Sequence, residues 1–404
     1  MNCQQWNTEE YFQAVTVADV VSCVEAGADV KARNKYGSTP LHWAAGFNGD
    51  PAVIEALVKA GADLGAQADR HFTPLHWAAE LNGNPAVCEV LLKAGADPRL
   101  HADEKITPLH WAARYNDNPA VTLVLLDAGA DPMVQDKYKN TPLHLAAELN
   151  KNPAVCEVLL KAGADPRLHA DEKITPLHRA ARYNDNPAVT QVLLKVGADP
   201  MAQDKQKNTP LHLAAGFNGN PAVCEVLLSA GADLKARSND QFTPLHLASG
   251  RNKNPAIVEA LLKAGSDLEA QADRNITPLH WGAANNKNPL VVAVLLKAGA
   301  DLEARGNGST PLHWAAAYNE SPAMIEVLLD AGADLEARDD WGDTSLHRAA
   351  EQNDNPSVAE VLLKAGASPV VRNDDDFTPL DLANENSNPS IRETLVAAVY
   401  GRKD

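Results

Sequence analysis

Thr73-Pro74-Leu75-His76-Trp77-Ala78-Ala79-Glu80-Leu81-Asn82-Gly83-Asn84-Pro85-Ala86-Val87-Cys88-Glu89-Val90-Leu91-Leu92-Lys93-Ala94-Gly95-Ala96-Asp97 carries its own punctuation. Thr73 reads as a helix N-cap, its hydroxyl placed to accept an orphan backbone N–H, and Pro74 suits the first helical turn. Leu75, Ala78 and Ala79 then give a short helix one small apolar face. Asn82 stands where that helix should end, and a left-handed residue is expected there, which Asn tolerates. Asn84 and Pro85 repeat the start signal. The second helix carries Val87, Cys88, Val90, Leu91 and Leu92 inward, with Glu89 left to solvent. Gly95 is the left-handed C-cap. Residues 98–106 lead in an extended turn, a finger, to the next Thr.

The unit recurs along the chain. Thr-Pro-Leu-His begins at Thr39, Thr73, Thr107, Thr141, Thr175, Thr209, Thr243, Thr277 and Thr310, with variants at Thr344 and Thr378. The interval is 34 residues throughout, except 33 between Thr277 and Thr310. A length of 404 would ordinarily suggest two or three globular domains, but a fixed period overrides that expectation. One helix pair cannot bury its apolar face alone; stacked pairs share an interior and touch nearest neighbours. A diverged first copy is expected at 7–38, beginning Asn7-Thr8-Glu9-Glu10. Ten internal repeats follow at 39–377. A last copy occupies 378–404, with Asp381 in place of the motif His and a basic Arg402-Lys403 near its end.

Thr-Pro-Leu-His-Trp-Ala-Ala followed by Val-Leu-Leu-Lys-Ala-Gly-Ala-Asp resembles the ankyrin repeat across nearly the whole chain. The resemblance implies an all-α solenoid of helix-turn-helix units with β-turn fingers, the first helices and fingers lining a concave face. Two features depart from the family pattern. The extra residue falls between the helices, where Asn-x-Asn-Pro replaces the common Gly-His. The Gly expected two residues before Thr is present as Gly37, Gly308 and Gly342, while Lys105, Lys139, Lys173 and Lys207 take its place elsewhere. Asn-x-Asn-Pro with near-identical copies also resembles bacterial ankyrin-repeat proteins, some of which act on eukaryotic hosts.

Composition narrows the function. The net charge is −17, no Lys/Arg run is visible, and such a chain repels a polyphosphate backbone, so nucleic acid is not expected as partner. No apolar run approaches the ~20 residues that span a bilayer, and the first residues lack a secretory pattern, so a cytoplasmic monomer is expected, with the alternative of a secreted bacterial effector or symbiosis factor exported by a non-classical route and acting on host proteins. Cys88, Cys156 and Cys224 recur 68 residues apart. Helices in neighbouring repeats lie about 8–10 Å apart, so alternate repeats stand about 16–20 Å apart, beyond disulfide reach. Reduced buried thiols are expected.

No enzymatic activity, cofactor or metal is expected. Ten of 13 histidines hold the fourth motif position, where the resemblance implies a hydrogen-bonding tie between helix and loop. His101 and His169 stand in fingers two repeats apart. Asp97, Asp131 and Asp165 belong to helix ends rather than to paired carboxylates, and phosphate-loop and nucleophile motifs are absent from the sequence. Asn48, Asn82, Asn116 and their counterparts are either loop caps or a ladder joining repeats.

A binding track is the strongest functional signal. Trp43, Trp77, Trp111, Trp281 and Trp314 follow the motif His. Four residues on, along the same helix face, stand Phe47, Tyr115, Tyr183, Phe217 and Tyr318. Arg179 and Arg348 replace Trp in their repeats, and Arg114 and Arg182 precede the tyrosines. Trp, Tyr and Arg dominate interface hot spots, so a protein partner is expected along this track. The alternative is that Trp packs between first helices, as Leu145, Leu213 and Leu247 at that position would allow. Glu80, Arg114, Glu148 and Arg182 alternate in charge and suggest pairing within the groove. Residues 73–140 and 141–208 are near-copies with identical fingers at 98–106 and 166–174, from recent duplication or for bivalent recognition of a repetitive partner.

Overall fold

The computed structural model describes residues 3–401; Met1, Asn2 and the basic Arg402-Lys403 lie outside the described residues. Twenty-four α-helices stand among them, in pairs, as the repeat requires. The chain divides into two compact units, Met1–Lys205 and Gln206–Asp404. The first holds six helix pairs, from Glu9–Ala14 with Val17–Glu25 to Pro176–Tyr183 with Pro187–Lys195. The second also holds six, from Pro210–Phe217 with Pro221–Ser229 to Pro379–Leu382 with Pro389–Tyr400. Within each unit, first helices pack on neighbouring first helices and second on second.

The unit at Thr73 shows why these residues fold this way. Pro74–Leu81 and Pro85–Lys93 are its helices. Leu75, Ala78, Ala79, Val87, Cys88 and Leu91 are buried, and Val90 and Leu92 half-buried. Full burial of Leu75, Val87 and Leu91 contributes roughly 1.5–3 kcal/mol each. Gly95 is left-handed, with φ 105°. Its N–H bonds the Leu92 carbonyl and that of Ala96 the Leu91 carbonyl, each at 3.0 Å, so the helix closes in a Schellman turn. Asp97 then accepts the N–H of Arg99 at 2.9 Å and starts the finger.

Asn82 corrects one expectation. It is extended (φ −96°, ψ 116°), not left-handed, because its side chain is needed on the preceding repeat. Its Nδ2 donates to the carbonyls of Ala45 (3.0 Å) and Asn48 (2.8 Å), and its Oδ1 accepts the N–H of Asn84. The same double reach is made by Asn116, Asn150 and Asn184 in the first unit, and by Asn252, Asn286, Asn319, Asn353 and Asn386 in the second. The second Asn adds a rung. Asn84 caps its helix through Ala86 N–H and donates to the carbonyl of Gly49 at 2.7 Å. Asn-x-Asn-Pro is therefore a cap and a ladder at once, running amide to backbone rather than amide to amide.

Apart from those at Ser238 and at Gly306–Ser309, the fingertips fall into two kinds, chosen by the residue five before Thr. An Asn or Asp there accepts two N–H groups: Asp136 takes those of Tyr138 and Asn140, each at 2.8 Å, and Asp339 those of Trp341 and Asp343. One left-handed residue follows, such as Lys139 (φ 61°) or Gly342 (φ 74°). Where Ala stands instead (Ala68, Ala102, Ala170, Ala272), no side-chain acceptor exists. Two successive residues then turn left-handed, as Glu104 and Lys105 do, each with φ 61°. Asp103 accepts the Ile106 N–H to close this type I′ turn. Lysine thus occupies the glycine conformation, at a cost of about 1–2 kcal/mol per residue.

Cys3 and Cys23 form a disulfide, with Cα atoms 5.7 Å apart, that fastens the segment before the first helix to the second. Cys88, Cys156 and Cys224 are free and buried, with thiol pKa values pushed up to about 12 by desolvation. In the last copy, Asp381 accepts the N–H of Thr378 (2.9 Å) and its hydroxyl (2.6 Å). It keeps the capping half of the histidine's work.

Candidate partner-binding faces

Each motif histidine locks a finger to a helix. His76 Nδ1 accepts the Thr73 N–H at 3.2 Å and lies 2.8 Å from its hydroxyl. Nδ1 is therefore the acceptor, and Nε2–H donates to the Ile106 carbonyl at the next finger, 3.2 Å away. Burial brings the imidazole pKa of His42, His76, His144, His246 and His280 down to about 4. Those of His110, His313 and His347 are lowered for the same reason. These are structural ties, and they hold the fingers over the first helices.

In the first unit the tryptophans close on other rings. Trp43 meets Trp77 edge-on at 4.9 Å and Phe47 at 5.9 Å, and His42 meets Trp77 at 5.4 Å. Gly46 makes room, since a Cβ there would meet Trp77 at 3.3 Å. Phe72 meets Trp111 at 5.3 Å, and Trp111 stacks on Tyr115 at 5.2 Å. All five track tryptophans are half-buried. The buried indole N–H groups of Trp43, Trp111 and Trp281 have no acceptor among the described residues. In the second unit Trp281 leans on Phe242 at 4.7 Å and lies over Gly250, where any Cβ would collide with it.

Phe47 is half-buried against Trp77, while the other four second members of these pairs are presented to solvent. Tyr115, Tyr183, Phe217 and Tyr318 are 46%, 49%, 39% and 59% exposed. Guanidinium groups lie against three of them: Arg114 over Tyr115 (5.1 Å), Arg182 over Tyr183 (5.0 Å) and Arg251 over Phe217 (5.5 Å). The arginines in the tryptophan position are tied within the chain. Arg179 pairs with Glu148 at 2.9 Å and donates to Asn140 Oδ1 at 3.1 Å. Arg348 pairs with Asp339, Asp343 (3.3 Å) and Glu351 (3.5 Å), over the Trp341 ring at 4.8 Å.

The expected charge alternation forms in part. Glu148 reaches Arg114 at 3.7 Å as well as Arg179, while Glu80 makes no ion pair among the described residues and its carboxyl pKa is raised by burial. Glu80 lies one repeat from Arg114 but outside ion-pair reach. Sequence reasoning missed the fingertips. Tyr36, Tyr138 and Trp341 stand exposed three residues before Thr, two with a neighbouring Lys over the ring. That fixed register was the available signal. In the first unit, tips are also cross-braced by His71–Asp103, Lys137–Glu104, Lys139–Asp171 and Lys205–Glu172. All are solvent-exposed pairs, worth little each. Among the described residues, no group of three or more His, Cys, Asp or Glu is arranged to hold a metal ion, and no helix is long and apolar enough to cross a membrane.

Stacked helix pairs with locked fingers define a repeat protein of the interaction-module class. The family profile described as ankyrin repeats (3 copies) matches residues 13–102, 75–170, 149–238, 177–272, 245–339 and 316–404, and the chain belongs to the ankyrin-repeat family. The crystal structure of the human ASB11 ankyrin repeat domain is similar, with a TM-score of 0.50 and 27% sequence identity, over 57% of this chain and 100% of that one. No curated protein matches the sequence. Ankyrin repeats are in general protein–protein interaction modules, a non-catalytic scaffold fold.

Proposed function

We propose that this chain is a non-catalytic scaffold that binds a protein partner along the face its first helices and fingers share. One observation carries the reading: exposed aromatic rings recur at a single repeat position on that face, three of them backed by arginine. Tyr and Phe side chains have few rotatable bonds, so docking through them costs less side-chain entropy than docking through long flexible side chains. Trp111 stacks beneath Tyr115, and Trp314 meets Tyr318 edge-on. The test is affinity capture with the full chain carrying Tyr115→Ala, Tyr183→Ala and Tyr318→Ala, beside an outer-face control carrying Leu123→Ala and Leu290→Ala. Partner capture should fall at least tenfold in the first, with unchanged circular dichroism, and persist in the second. Equal capture by both would contradict the proposal.

The Cys3–Cys23 bond supports a second reading, that the chain works in an oxidising compartment after export, as an effector acting on host proteins would. Alkylation before reduction distinguishes the cases. Exported chain should show Cys3 and Cys23 protected from alkylation. Chain retained in the producing cell with both thiols alkylated would place it in the cytosol.

A further inference from the structure

The single 33-residue interval leaves a recess in the second unit. The residue lost between Thr277 and Thr310 comes from the finger. Asn307 (φ 49°) and Gly308 (φ 79°) form its whole tip, closed by a bridge between Gly306 and Ser309. Neither glycine admits a side chain: a Cβ on Gly306 would meet the His280 ring at 2.9 Å, and one on Gly308 would collide with Asp340. The neighbouring fingers keep their full length and carry Arg274 and Trp341 at their tips. A recess of about 230 Å³ results, lined among others by Arg274, Asn307, Trp314, Tyr318, Trp341 and Arg348. Trp314 is fixed by its indole N–H, which donates to the Gly306 carbonyl at 3.1 Å, and Tyr318 meets it edge-on at 5.8 Å.

The lining says what fits. It holds two guanidinium groups and no carboxylate. The charge of Arg348 is already met by Asp339, Asp343 and Glu351, whereas Arg274 makes no ion pair among the described residues. Three aromatic rings supply flat apolar walls. The volume falls below the ~300–1,000 Å³ of sites for drug-sized ligands and suits one side chain. We infer that the recess receives an aromatic residue of an acidic peptide segment, whose adjacent Asp or Glu pairs with Arg274. The inference rests on the scaffold reading above and names the partner chemistry at one place on that face.

The probe is the peptide acetyl-Gly-Gly-Phe-Glu-Gly-Gly-amide, with Phe-Gln, Phe-Lys and Ala-Glu versions beside it. The readout is the set of indole N–H resonances of the full chain, assigned by Trp314→Phe and Trp341→Phe. The Phe-Glu peptide should shift the Trp314 and Trp341 signals and bind at least tenfold more tightly than the other three. Arg274→Glu should weaken Phe-Glu at least tenfold and favour Phe-Lys instead. Grafting residues 271–276 in place of 305–309 restores the full finger and should abolish binding while circular dichroism stays unchanged. Equal binding of Phe-Gln or Phe-Lys to the native chain, shifts confined to other tryptophans, or no binding at millimolar peptide would overturn the assignment. Retained partner capture by the Arg274→Glu chain would remove this recess from the account and leave the scaffold standing; capture by a chain carrying only Tyr115→Ala and Tyr183→Ala, which leaves the recess intact, tests the scaffold itself.

Discussion

Trp77 and Trp314 follow the same four residues, Thr-Pro-Leu-His, at the same place in the repeat, and they have different work. Trp77 is enclosed by Trp43, Phe47 and His42, with Gly46 cleared to receive it. Trp314 lines a recess because the finger ahead of it lost one residue. The residue type did not change; its neighbours did. In a stack, a side chain's surroundings are set as much by the adjoining repeats as by its own, so one position can be enclosed in one place and line a recess in another.

The largest expected effect is shared by both regions and measures the frame they hang on. Histidines with folded pKa values near 4 take up protons in the unfolded chain first, whose value is about 6.5. Their stabilisation is complete above pH 6.5 and is lost as pH falls toward 4. A shift of that size is roughly 3 kcal/mol per imidazole. Thermal melts followed by circular dichroism should collapse steeply between pH 6 and 4.5; a flat profile would contradict neutral buried imidazoles.

The comparison itself is broken or sharpened by paired truncations. Trp77→Ala leaves a gap among rings and should cost about 3 kcal/mol, the low end for a buried aromatic because Trp77 is half-buried. Trp314→Ala, already beside a recess, should cost about 1–2 kcal/mol less in the same urea titration. Equal costs would mean that the two environments do not differ. Next comes the ladder. Asn116→Ala strands the carbonyls of Ala79 and Asn82 and should cost about 2 kcal/mol in either titration or melt. The smallest effect belongs to a fingertip: Lys105→Gly relieves a left-handed lysine and should raise stability by up to about 1 kcal/mol, while a loss would show that the Lys side chain matters more than its backbone.

Helices, the Asn caps and the left-handed glycines were legible because each rests on signals within a few residues, as at Pro74, Asn84 and Gly95. Asn82 was misread for the complementary reason: its amide serves carbonyls 34 and 37 residues earlier, and only a partner that far away makes it extended. The fingertips sat between these cases. Ala102 and Asp136 differ visibly in sequence, yet the consequence runs through which N–H groups a side chain can accept. Of the binding track, the register was readable but its order was not. Which rings are exposed depends on the preceding repeat, whose Gly46 and Gly250 lie against Trp77 and Trp281. Arg274 and Trp341 were passed over because what joins them is a residue that is missing. Cys3 and Cys23 stand outside the regular period, so no repeat register pointed to their pairing.

The account turns on which face meets the partner. A photo-crosslinking residue placed in turn at Tyr115, Tyr318, Leu123 and Leu290 tests this directly, since all four positions are exposed and the last two lie on second helices. Crosslinks to one and the same partner from Tyr115 and Tyr318, and none from Leu123 or Leu290, are the predicted result. The reverse pattern, with capture through the second helices, would contradict it.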